Sequence, residues 1–143
     1  MSIIKYLRSG FTLIELLIVI AVLGVLAAVT VMGIDPIDKI NAANDTKIQR
    51  DTNALSTAME AYAVANNGVY AADQAILVTS GDLKTTLTAP TGYSAYTVSG
   101  GATGKAYSQL KSKKYVNANT PNWVWCSASG KAGATANPAG TCP

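Results

Sequence analysis

Gly10-Phe11-Thr12-Leu13-Ile14-Glu15-Leu16 opens an apolar run that continues to Ile34, and Glu15 is the only charged residue in the 24 from Phe11 onward. As a helix rising 1.5 Å per residue this run is about 36 Å long, enough to cross a hydrocarbon core of about 30 Å. An acid inside a membrane helix costs about 2.5–3.5 kcal/mol at mid-bilayer and less near an end, so Glu15 asks for a positive partner. The N-terminus of the helix itself supplies a partial positive charge.

What precedes the run suggests a further partner. Residues 1–10 are short and carry Lys5 and Arg8 without any acid. A secretory signal would place its apolar stretch before the cleavage point. Here the apolar stretch follows Gly10. Cutting between Gly10 and Phe11 would leave the helix on the mature chain and create an α-amino group at Phe11. Glu15, four residues on, is then placed to pair with the amine of a neighbouring copy.

In its basic leader, Gly10, Phe11, Glu15 and long apolar helix, the chain resembles the type IV pilin family and its pseudopilin relatives. The resemblance is close over Lys5 to Ile34 and rests on layout alone beyond it. It implies that a prepilin peptidase cuts after Gly10 and N-methylates Phe11. It also implies that Glu15, with Thr12, governs registration between subunits. The implied partners are other copies of the chain in a helical filament and an inner-membrane assembly platform. The protein is expected in the inner membrane before assembly and in an extracellular pilus afterwards.

Composition limits the rest of the 143 residues to one modest domain and, without any histidine, excludes histidine base chemistry and ligation. Cys126 and Cys142 in an exported chain read as one disulfide, ahead of two free thiols or half a metal site. A glycine-rich phosphate loop in strand–helix context, a convergent acid pair outside the stem and a metal-ligand cluster are all missing. No enzymatic activity, cofactor or metal centre is expected.

Charge is segregated along the chain. Residues 11–82 hold eight acids against Lys39, Lys47 and Arg50, while residues 83–143 hold six lysines and no acid. This acidic stem and basic head would steer contacts between copies, or draw DNA or another anionic surface to Lys105, Lys111, Lys113 and Lys114. Lysines kept for solubility are the plainer reading.

The sequence predicts an α+β fold: a long N-terminal helix in two halves, packed on a small antiparallel sheet. Its segments are a leader (1–10), an apolar helix (11–35), an amphipathic helix (36–68) and a β-rich head (69–143). Asp35-Pro36 interrupts the helix, with Asp35 as cap and Pro36 at the first helical position. Gly24 to Pro36 is the part expected to melt or extend on assembly. Ile48, Thr52, Leu55, Met59 and Tyr62 recur at helical spacing, and Ile37 and Ile40 extend that face by one turn. Lys47, Arg50, Asp51 and Glu60 fall on the opposite, solvent side.

Ala75–Thr79, Tyr93–Val98, parts of Lys105–Val116 and Asn122–Ser127 read as strands, with Trp123 and Trp125 on one face. Gly100, Gly101 and Gly104 read as a flexible turn. The charge-poor stretch Ser127–Thr141 builds no core and would be mobile without a crosslink. The functional expectation is a pilus subunit serving adhesion, motility or DNA uptake. Alternatives are a major pseudopilin of a type II secretion system, whose acidic calcium loop has no counterpart here, and a minor or competence pilin that binds DNA.

Overall fold

The computed structural model describes residues 10–139 and 142–143. Residues 1–9 of the leader read over 1–10, with Gly140 and Thr141, lie outside the described residues. The chain divides into two compact units, Met1–Pro36 and Ile37–Pro143.

In the first unit, helix α1 spans Leu13–Gly33, 21 residues of which none is buried. It is long and apolar enough to cross a membrane. Gly24 lies inside this helix, which runs on to Gly33 and is capped by Ile34.

The second unit is built on helix α2, Pro36–Ala65, which begins at its proline. That position suits proline because the first turn of a helix leaves its N–H groups unpaired in any case. The buried face of α2 is Asp45, Ile48, Thr52, Leu55, Ala58, Met59 and Ala63, with Tyr62 packed partly buried beside it. Past its end the chain turns, and Gly68 N donates to Ala63 O at 2.8 Å.

The remaining elements are helix α3 (Gln74–Ser80), strands β1 (Thr97–Ser99) and β2 (Lys105–Gln109), helix α4 (Lys113–Asn117), and strands β3 (Asn122–Cys126) and β4 (Lys131–Thr135). The strands form one antiparallel sheet in the order β1-β2-β3-β4. Ala106, Leu110 and Trp125 join Ile48, Leu55, Met59, Leu77 and Tyr96 in the core cluster, with Trp123, Ala132 and Ala134 partly buried against it. The alternation read at Trp123-Val124-Trp125 is therefore present. Trp125 meets Tyr70 edge-on at 6.2 Å, and Trp123 meets Tyr115 at 6.4 Å.

Several local expectations are corrected. Ala75–Thr79 is helical: Asp73 caps α3 by accepting from Ile76 N at 2.9 Å, and Gly81 ends it at φ 87. A left-handed residue at that position favours glycine. Strand β1 starts only at Thr97, because residues 93–96 are loop. Part of Lys105–Val116 is a strand as expected, β2, and the rest leads into α4.

Ile37 and Ile40 remain 65% and 58% exposed, because the face continues through the half-buried Asp38 and Asn41 to Asp45 instead. Gly100 and Gly104 form no slack turn. A Cβ on Gly100 would lie 2.1 Å from Ala71 O, and one on Gly104 would lie 2.7 Å from the Tyr70 ring. Ser127–Thr141 contains β4, whose small side chains let it lie flat beside β3.

The largest departure from the sequence reading is polar. Asp45 is 1% exposed. It accepts from Lys111 N and Ser112 N at 2.9 Å each and from Tyr93 Oη at 3.1 Å. These bonds fasten α2 to the segment between β2 and α4, where the backbone N–H groups would otherwise be buried without partners. Nearby, Asp38 Oδ1 accepts from Lys113 N at 2.6 Å.

One and a half turns further along α2, Asp51 accepts from Tyr96 Oη at 2.5 Å and pairs with Lys47. Asp51 thus belongs to the interior contact of the head and does not simply face solvent. Burial, reinforced by Asp45, pushes the Tyr93 hydroxyl above its ordinary pKa. Burial, reinforced by Asp51, does the same for Tyr96.

Three outcomes follow from this packing. Asp45→Ala should lower stability by about 3 kcal/mol in chemical denaturation, since it strands two backbone donors. Gly100→Ala should cost about 2 kcal/mol or more, read as a lower melting temperature. In alkali the unfolded chain loses the Tyr93 and Tyr96 protons near pH 10 while the folded chain keeps them. Stability should accordingly be full below about pH 10 and fall above it, and Tyr93→Phe should flatten that decline.

Candidate functional site

Gly10 and Phe11 are exposed and lie outside any regular element, with Phe11 79% accessible. This is the form in which a peptide bond can be reached by a peptidase. Thr12 follows as the N-cap of α1, with extended backbone angles of φ −84 and ψ 149.

Thr12 and Glu15 form a reciprocal capping box. Glu15 N donates to Thr12 Oγ1 at 3.3 Å, while Thr12 N and Thr12 Oγ1 donate to Glu15 Oε2 at 2.9 and 2.6 Å. The sequence signal for this was present as T-x-x-E ahead of an apolar run. Two first-turn groups that would be left bare in hydrocarbon are thereby satisfied within the chain. Both donors converge on Oε2. Glu15 Oε1 has no hydrogen bond among the described residues and is open to an external donor.

Cys126 and Cys142 are joined, with Cα atoms 5.7 Å apart. Cys126 follows Val124 on the face of β3 turned away from α2, and both are fully buried. The end of the chain covers that face: Pro143 lies against Gly133, which pairs with Val124, and Ala139 O accepts from Lys105 Nζ at 2.9 Å.

The four lysines singled out for anions do not share one patch. Lys105 sits at one end of β2, opposite Cys126. Lys111, Lys113 and Lys114 lie beyond the other end. The Lys111 ammonium is bonded to Gly92 O and lies 5.3 Å from the Tyr93 ring centre, while that of Lys114 is 5.0 Å from the Tyr115 ring centre.

With this geometry in view, two comparisons bear on the chain. The prokaryotic N-terminal methylation motif matches residues 6–31. Over 78 residues the chain is 44% identical to the type IV wide pilus major component PilA4 of Thermus thermophilus, covering 54% of this chain and 56% of that one. These findings support a type IV pilin family. The chain spans about half the length of the curated relative it matches.

The methylation motif ends within α1, so that match covers Gly10 and Phe11, the capping box and most of the apolar helix but not the head. The pilin family is one of structural subunits. The crosslink holds the end of the chain on the sheet. Replacing both cysteines by serine should cost about 3 kcal/mol in thermal unfolding and speed amide exchange in β4.

Proposed function

We propose that this chain is a structural subunit of a type IV pilus filament, made in the inner membrane and moved to an extracellular fibre. One observation carries the reading: a helix of 21 residues with no buried side chain directly follows an exposed Gly10–Phe11 bond within a methylation motif. A helix that is apolar all round needs an apolar surrounding, first a bilayer and then the same helix of other copies.

Peptidase cleavage after Gly10 frees the Phe11 amine, which is then N-methylated. The capping box holds Glu15 by one oxygen and leaves the other to accept the ammonium of a neighbouring subunit. Thr12 sets the rotamer of Glu15 in that role. The assembled filament serves adhesion, motility or DNA uptake through its exposed heads. The acid-free stretch from residue 83 onward supports this reading over a calcium-binding pseudopilin.

Mass spectrometry of filaments sheared from native cells tests the proposal. The expected result is a dominant chain that begins at N-methylated Phe11 and carries an intact disulfide. A processed chain confined to the membrane would overturn it. Glu15→Ala should be cleaved normally and fail to polymerise. Glu15→Gln is more telling, because it retains an acceptor for Thr12 N but has no charge. Filaments of normal abundance from Glu15→Gln would show that the cap, and not an ion pair, is what assembly requires.

A further inference from the structure

The strap formed by the end of the chain covers only part of the outer face of the sheet. The alternation that sends Ala106 and Ser108 inward places Tyr107 and Gln109 outward. The register sets Thr97 beside Tyr107 and Asn122 beside Gln109. With Ser94 and Pro121 these residues line a groove beyond the strap.

The chemistry of the groove is specific in one respect: no carboxylate or ammonium lines it. The flanking lysines are turned elsewhere, Lys105 onto Ala139 O and Lys111 onto Gly92 O. Its hydrogen-bonding capacity is nonetheless only partly used. Asn122 Nδ2 donates to Thr135 O and Ala136 O at 3.4 and 3.2 Å, which leaves its Oδ1 as an acceptor. Gln109 Oε1 accepts from Ser94 Oγ at 3.4 Å, which leaves its Nε2 as a donor. The Tyr107 hydroxyl has no partner among the described residues.

A free donor and a free acceptor thus stand on a directly paired couple of strand positions, with an aromatic ring two residues along the same face. Adjacent hydroxyls on a sugar ring offer the matching pattern, since each hydroxyl both donates and accepts. The C–H face of the same ring suits a tyrosine side chain. A charged ligand would find no counter-ion there, and an apolar one would strand the amides.

We propose that this groove, centred on Tyr107, Gln109 and Asn122, binds an uncharged saccharide. The site is independent of the filament reading, because it belongs to the head of a single chain.

The test uses the full chain, purified in a detergent without a sugar headgroup. Saturation-transfer NMR is run with maltotetraose, N,N′,N″-triacetylchitotriose and lactose, and with a heparin tetrasaccharide as the acidic counterpart. At about 10 mM, in the range where weak single-site binding is visible, at least one neutral sugar should receive transfer. Heparin tetrasaccharide should not displace it. Tyr107→Ala and Asn122→Ala should each weaken binding about tenfold or more, whereas Lys114→Ala should leave it unchanged. If Tyr107→Ala proves unfolded by circular dichroism, Thr97→Trp fills the groove from its exposed side and should abolish transfer. Silence from all three neutral sugars, displacement by heparin, or transfer that survives the folded groove variants would overturn the proposal.

Discussion

Helix α1 buries nothing within its own chain, and that constraint governs how the rest of the protein is made. An all-apolar helix cannot be left in water, so its stability is borrowed from whatever surrounds it. The core cluster accordingly contains no residue of α1 and is completed by α2, α3, the sheet and the loops between them. Glu15 fits the same constraint. Its carboxylate is engaged by Thr12 at the first turn, which leaves fewer bare N–H groups where the helix begins and one carboxylate oxygen open.

Within the head, polar contacts decide where the apolar layers meet. Ile48, Leu55 and Met59 would pack acceptably over a range of small shifts along the sheet, because dispersion contacts have little directionality. Asp45 removes that freedom. Its bonds to consecutive backbone N–H groups at 111 and 112 fix the position of α2 along its axis relative to the sheet. The Asp51–Tyr96 bond, six residues further on, fixes its rotation. The two aspartates therefore act as locating pins in an otherwise greasy interface.

Legibility followed the length of each signal. The apolar run, the proline break and the periodic face of α2 each extend over many residues, and all three were readable. So were β3, with its paired tryptophans, and the cysteine pair. Short elements were lost where two residues decide the outcome: α3 depends on Asp73 at its start and Gly81 at its end, around a core of residues that favour strands. Asp45 was unreadable for another reason. Its partners are backbone groups more than sixty positions away, and no local pattern announces a backbone donor. The groove at Tyr107 was hidden because strand order and register had to be known first.

The sheet is a plain meander in which every spatial neighbour is the next strand in sequence. The β1–β2 and β3–β4 connections are short, and the β2–β3 connection carries α4, so each closure costs little entropy and the strands can come together quickly. The long closures are those that join α2 to the segment between β2 and β3, from Asp45 and Gln49 across 66 residues and from Asp38 across 75. Helix docking is on these grounds the slow, high-separation event in folding, and Asp45 is the group that registers its completion. A chain in which the helix has not yet docked would have its strands paired but the backbone N–H groups at 111 and 112 without their Asp45 partner.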